Sequence, residues 1–156
     1  MSFTIARVTQ GDLPELLVLV RGYCAFYERS AGIAQPSDEA LLALSHALLA
    51  DPDRSGVQLL AWSVEDGTPL GFATIYWTWS TLAAARVAVM NDLYVDPAAR
   101  GSGLADALIA ACRDEARAHG AVKLSWSTAL DNHRAQKVYD RVGGARSQWL
   151  DYDLPV

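Results

Sequence analysis

Apolar residues recur along this chain in two rhythms. "FTIARV", from Phe3 to Val8, alternates apolar and polar positions and reads as a half-buried strand. Leu13, Leu16, Leu17, Val20, Cys24 and Tyr27 then recur at helical spacing, which predicts a helix running to about Glu28 with one face turned inward. Asp12 stands at its N-cap position and Glu15 follows in a capping-box arrangement. "SAGIAQPSDEA" reads as a loop. Ser37 or Asp38 caps a second helix through "LLALSHALLA", and "DPDRSG" stops it. Three strand patterns follow in series: "VQLLAWSV", "PLGFATIYWTWS" and "ARVAVMNDLYV", the first two joined by the hairpin-type turn "EDGT". A helix after Gly103, a short strand in "AVKLSWST", a helix from about Asn132 to Val142 and a terminal strand in "ARSQWLDYDL" complete the order β-α-α-β-β-β-α-β-α-β. That order is α/β (α+β mixed), with a sheet that is antiparallel early and gains a parallel crossover late.

Composition narrows the class. A chain of 156 residues with 51% hydrophobic side chains fits one domain, 1–156, with a core of ordinary size. No run approaches the roughly 18 consecutive apolar residues of a membrane span. "MSFTIARVTQ" has neither a long apolar stretch nor a small-residue cleavage site, so the expectation is a cytoplasmic protein with no membrane partner. A net charge of -5 weighs against nucleic acid and favours a cationic ligand. Cys24 and Cys112 lack metal-type spacing and read as small buried hydrophobes, and no metal site is expected. His46, His119 and His133 have no nucleophile beside them.

The chemistry concentrates in "NDLYVDPAARGSGLADALIAACRDEA", Asn91 to Ala116. Pro97 ends the strand, and Gly101 and Gly103 let the backbone turn with its N–H groups unobstructed. The helix that follows presents free amides and the positive end of its dipole beside Arg100, which suits phosphate. A dinucleotide fingerprint would need a third glycine where Asp106 stands, and a nucleotide-triphosphate loop would need Gly-Lys-Ser/Thr; neither is present.

"RGSGLA", Arg100 to Ala105, resembles the pyrophosphate loop Arg/Gln-x-x-Gly-x-Gly/Ala of the GNAT superfamily of acetyl-CoA-dependent N-acetyltransferases, and "LYVDPAA" resembles the strand leading into it. "DNHRAQKVYDRVGGA" is similar to that family's Asn-x-x-Ala-x-x-x-Tyr-x-x-x-Gly segment, at Asn132, Ala135, Tyr139 and Gly143. In the N-terminal half, "GYCAFYE" and "GFATIYWTWS" resemble the polyamine (diamine) and thialysine acetyltransferase branch. The resemblance implies a GNAT-like central mixed, mostly antiparallel sheet flanked by helices. It further implies acetyl transfer from acetyl-CoA to a primary amine of a small cationic acceptor (polyamine, diamine or lysine-like amino acid) by direct attack in a ternary complex.

By the same resemblance, the diphosphate rests on the amides of Gly101, Ser102, Gly103, Leu104 and Ala105, with Arg100 adding charge and Asn132 a further contact. A backbone N–H among Leu93, Tyr94 and Val95 faces the thioester carbonyl, and Tyr139 gives the leaving thiolate its proton. Tyr27, Glu28, Trp77 and Trp79 are expected to grip the acceptor. An alkyl amine of pKa about 10.4 is protonated at neutral pH, so attack requires a base. The branch carries Glu-Asp where this chain has Asn91-Asp92. Asn91 is left to orient the amine or a water and Asp92 to serve as base, although alternation sends Asp92 to the face opposite Asn91 unless the strand is irregular. A homodimer through the late strands is also implied. The alternatives are an aminoglycoside or protein N-terminal acceptor, and a non-catalytic acyl-CoA sensor.

Overall fold

The alternating segments build a five-stranded open sheet in the order β1 (Phe3–Arg7), β2 (Gly56–Ser63), β3 (Pro69–Ser80), β4 (Ala85–Val95) and β5 (Leu124–Ser125). The structure is a computed structural model describing residues 2–156. Neighbouring strands are antiparallel as far as β4, and β5 alone runs parallel, returning after a helical crossover. The helices are α1 (Leu13–Ala31), α2 (Asp38–Ala50), α3 (Leu104–Ala118) and α4 (His133–Arg141).

Two cores cover the two faces of the sheet. On one face α3 buries Leu104, Leu108, Ile109 and Cys112 against Leu59, Ala73, Ile75, Ala88 and Met90. On the other, α1 sets Leu13, Leu16 and Leu19 against Leu60 and Phe72. The three- and four-residue spacing of these positions is what gives each helix its single apolar face. Cys112 lies fully buried and Cys24 partly so, both as free thiols.

The start of α1 differs from the sequence expectation. A short 3-10 turn, Gln10–Asp12, precedes the helix, and the Asp12 carboxylate turns back to accept from Thr9 N–H and Thr9 Oγ1, each at 2.7 Å. The reciprocal capping pair is therefore Thr9 and Asp12, one turn upstream of Asp12 and Glu15. Helix α1 also outlasts its expected end near Glu28, stopping where Gly32 takes a left-handed conformation with φ +68°. At α2 the open choice of cap resolves to Ser37, whose Oγ accepts from Ala40 N–H at 3.2 Å.

The largest departure is at the C-terminus. "ARSQWLDYDL" forms no strand, and β5 is two residues long where eight were read as strand-like. A strand needs an edge to pair with. β5 supplies almost none, because its ladder with β4 is confined to Ala88 opposite Leu124 and Val89 opposite Ser125. Trp149, Leu150, Tyr152 and Leu154 accordingly face solvent. No described helix is long and apolar enough to cross a membrane.

Leu108, fully buried at the centre of α3, is a direct test of the larger core. Leu108→Ala is expected to lower the unfolding free energy by about 2–5 kcal/mol, from lost transfer energy and the residual cavity. Chemical denaturation measures it, and a loss under about 1 kcal/mol would mean that α3 does not pack as described.

Candidate active site

β4 contains one residue too many. Its ladder with β3 runs Thr74 opposite Asp92 and Ile75 opposite Met90, which leaves Asn91 unpaired as a bulge. Side-chain parity reverses across it. Met90 packs with the α3 core, and Leu93 and Val95 return to that same face, while Asp92 and Tyr94 turn toward α1. The expectation that Asp92 lies opposite Asn91 is thereby corrected. Both line one small cavity under α1 and α2, and Asn91 Nδ2 donates to Asp92 Oδ1 at 3.0 Å.

Asp92 is held by a polar network. Thr74, Tyr23 and Asn91 all donate to its carboxylate, and Gln58 Nε2 in turn donates to Thr74 Oγ1 at 3.3 Å. Burial nonetheless raises the Asp92 pKa above the ordinary carboxylate value, against the opposing pull of those hydrogen bonds. The Tyr23 phenol is raised as well, first by burial and then by the nearby Asp92 charge.

Beyond Val89 no strand among the described residues pairs the outer edge of β4. A cleft of about 780 Å³ opens along that edge, between α1 and the facing ends of α3 and α4. Leu93, Tyr94 and Val95 line its wall. Gly101 and Gly103 each hold φ +84° with nothing within 4 Å of where a Cβ would stand, so the loop entering α3 offers its amides without a side chain in front of them. Arg100, Arg134, Lys137 and Arg141 also line the cleft. Asp106 is the one carboxylate among the lining residues, and Arg141 takes it bidentately at 2.8 and 2.6 Å, which ties α4 to α3 and holds the carboxyl below its ordinary pKa.

Tyr139 points into this cleft from α4, its ring edge-on to Trp126 with centroids 5.4 Å apart. Burial, with Tyr27 nearby, pushes its phenol up to about 12, so it keeps its proton at neutral pH. Asn132 lines the cleft as the N-cap of α4, its Oδ1 accepting from Ala135 N–H at 3.2 Å. A protonated phenol beside an open strand edge and a cationic, amide-lined loop suits an acyl donor that carries phosphate.

The comparisons bear directly on this geometry. Residues 22–144 match the profile of the Acetyltransferase (GNAT) family, which takes in the bulged strand, the glycine loop and α4. The chain belongs to the GNAT acetyltransferase family. Among GNAT relatives it is 35% identical over 79 residues to the uncharacterized N-acetyltransferase YhfO of Bacillus subtilis (strain 168), a match covering 51% of this chain and 53% of that protein. It is 28% identical over 153 residues to the thialysine N-epsilon-acetyltransferase of Bos taurus, covering 92% and 85% respectively. The crystal structure of a probable acetyltransferase superposes with a TM-score of 0.79 at 31% identity, covering 98% of this chain and 97% of the other. The chain thus spans about half the length of YhfO and most of the length of the bovine relative.

Not every residue expected at the GNAT site reaches it. Tyr27, Leu93, Tyr94, Val95, Arg100, Gly101, Gly103, Leu104, Ala105, Asn132 and Tyr139 line the cleft. Ser102 sits in the same loop with its hydroxyl turned back to donate to Ala99 O at 2.7 Å. Glu28 lies outside, exposed at the end of α1 and accepting from Gln35 Nε2. The two tryptophans also lie elsewhere. Trp77 is buried on the α3 face, stacked 4.2 Å from His119 and donating through Nε1 to Pro52 O, while Trp79 is solvent-exposed with Arg86 over its ring. Alternation put them on one face as expected, but it is the face away from Asp92.

Residues that the sequence reading passed over are Tyr23, four positions before Tyr27 on the same helix face, and the cationic row Arg134, Lys137 and Arg141. Helical spacing could have found both sets.

The raised Asp92 pKa has a stability consequence. A carboxyl whose folded pKa exceeds its unfolded value destabilises the native state increasingly as pH rises through that interval, and the penalty vanishes below the unfolded value. Asp92→Asn should therefore melt higher than the parent at pH 7, with the gap closing below about pH 4. Thermal melts across pH test this; a gap that widens on acidification refutes it.

Proposed function

We propose that this GNAT protein transfers the acetyl group of acetyl-CoA to a primary amine of a small cationic acceptor, by direct attack within a ternary complex. The observation that carries the reading is the convergence of a cationic, amide-lined cleft, an unpaired strand edge and a partly buried, protonated tyrosine. The amides of Gly101 to Ala105 and the Arg100 guanidinium hold the diphosphate, and Asn132 contacts the donor from the start of α4. Asp92 accepts the proton of the incoming ammonium. A carboxyl raised by burial is a better base for an alkyl amine than an ordinary one, because its conjugate acid is closer in strength to the ammonium. Asn91 steadies that carboxylate through its amide.

As nitrogen bonds to the thioester carbon, the carbonyl oxygen gains charge, and backbone N–H groups along Leu93 to Val95 are the donors at hand. The carbon–sulfur bond then breaks, and Tyr139 gives its phenolic proton to the departing thiolate. The phenol afterwards regains a proton from solvent. Tyr27, across the cleft from α4, contributes to the acceptor side.

Purified protein mixed with acetyl-CoA and a panel of spermidine, putrescine, lysine, thialysine and an aminoglycoside should release thiol with the small amines. Tyr139→Phe should lower kcat about a hundredfold or more while CoA affinity holds. Tight CoA binding without turnover on any amine would replace this reading with that of an acyl-CoA sensor, and preference for the aminoglycoside would replace the acceptor class.

A homodimer belongs to the same reading. The exposed arm after α4 carries Trp149, and its Leu150, Tyr152 and Leu154 recur every second residue as in a strand lacking its partner, which a second copy would provide. Sedimentation should give two copies for the full chain and one after truncation beyond Ala145. A full chain that sediments as a single copy defeats the dimer.

A further inference from the structure

Two glycines clear the way to the amides that open α3, yet the first turn of the same helix carries a carboxylate. Ala107 N–H begins the helical ladder, on Gly103 O at 3.1 Å, so the amides of Leu104, Ala105 and Asp106 precede it. The Asp106 side chain stands among them and lines the cleft. An acidic residue in a first turn stabilises a helix by meeting the positive end of its dipole. Asp106 does so in part by accepting from its own N–H. A diphosphate seeks that helix end for the same reason. Two anions would therefore contend for one terminus, and across the poorly solvated wall of a cleft their repulsion is stronger than in water.

Arg141 resolves the conflict from α4. It lies in the last turn of that helix, where the negative end of the dipole also favours a cation. Its planar fork takes both carboxylate oxygens, Nε donating to Oδ1 at 2.8 Å and Nη2 to Oδ2 at 2.6 Å. This guanidinium is the main cause of the low Asp106 pKa, so the acid stays ionised, but outside the pair its charge is cancelled. Those two donors are turned to Asp106, so the Arg141 charge is already spoken for. Arg134 and Lys137, seven and four positions earlier on α4, enter no ion pair among the described residues and keep their charge for a ligand. The pair itself adds little to folding, because the Arg141 side chain is 59% exposed.

We propose that Arg141 is a positioning residue for the donor: it neutralises Asp106 and holds that carboxylate aside, leaving the start of α3 to the diphosphate, and makes no phosphate contact of its own. The proposal rests on the donor half of the acetyl-transfer reading. It assigns the effect to the charge of Asp106, not to the mechanical tie between α3 and α4, and the two causes predict opposite signs for one substitution.

The test is calorimetric titration of CoA and of 3′-dephospho-CoA into the full chain, Asp106→Asn, Arg141→Gln, Arg141→Lys and the double variant Asp106→Asn/Arg141→Gln. Arg141→Gln should weaken both ligands at least about tenfold, because an uncovered carboxylate then faces the diphosphate. Asp106→Asn should bind both at least as tightly as the parent. The double variant should recover to within about threefold of the parent, a strongly non-additive cycle. Arg141→Lys keeps the charge and loses the fork, so it should fall between the parent and Arg141→Gln. Added salt should narrow the gap between Arg141→Gln and the parent. All variants should melt within a few degrees of the parent, as suits an exposed pair.

Equal losses in Asp106→Asn and Arg141→Gln, with no recovery in the double variant, would make the pair a structural tie and overturn the proposal. A double variant as weak as Arg141→Gln beside a tight Asp106→Asn overturns it too, since the guanidinium would then act on phosphate directly. So does a loss seen with CoA and absent with 3′-dephospho-CoA, which would place Arg141 at the 3′-phosphate. The two readings fail differently. A parent chain that binds neither ligand removes the donor reading and this proposal with it, whereas tight CoA binding with additive variants removes the role of Arg141 alone.

Discussion

A single unpaired residue in the fourth strand decides which of that strand's side chains face α1 and which return to the α3 core. With regular alternation from Met90 onward, Asp92 would point into the α3 core beside Ile75 and Leu108, where a carboxylate without partners is costly. The bulge at Asn91 turns Asp92 to the other face, where Tyr23 and Thr74 donate to it, and returns Leu93 and Val95 to the core. The same strand loses its outer partner after Val89, so its backbone is paired on one side and open on the other. Bulge and open edge together let one strand serve a cleft with its backbone and a cavity with its side chains.

Two spaces of opposite charge are thereby kept apart. The chain as a whole carries -5, yet the cleft collects Arg100, Arg134, Lys137 and Arg141 around the N-terminus of α3. The cavity has Asp92 and no cation. Tyr23 forms the wall between them, packed edge-on against Tyr27, Phe72 and Tyr94. Gly22 is part of that wall's construction, because a Cβ there would stand 2.5 Å from the Tyr94 hydroxyl. The cleft and the cavity thus set fields of opposite sign in neighbouring spaces, with the peptide link from Asp92 to Leu93 between them.

Legibility in the sequence followed the range of the interaction. Helices with an apolar stripe and strands with strict alternation were readable from Leu13 to Ala116, because each is decided by neighbours a few positions away. The glycine loop was readable for the same reason, since φ +84° at Gly101 and Gly103 is a local demand. What failed was non-local. The strand reading of residues 145–154 was locally sound, but pairing depends on an edge elsewhere in the fold, and β5 is too short to supply it. Trp77 and Trp79 were correctly placed on a common face. Which face could not follow from period two alone, and Trp77 went to His119 and Pro52. The bulge lay beyond reach because "VMNDLY" alternates no worse than its neighbours, and its extra residue appears only against the partner strand.

The asparagine at position 91 also has a physical role in this setting. It occupies the bulge with its amide 3.0 Å from Asp92, in a site with no cation to balance a second negative charge. A carboxylate at that position would set two like charges side by side and raise one of their pKa values strongly, leaving a shared proton at neutral pH. The amide removes the repulsion and returns a hydrogen bond. Asp92 then titrates as one group, its pKa raised by burial and held back by the hydrogen bonds it accepts.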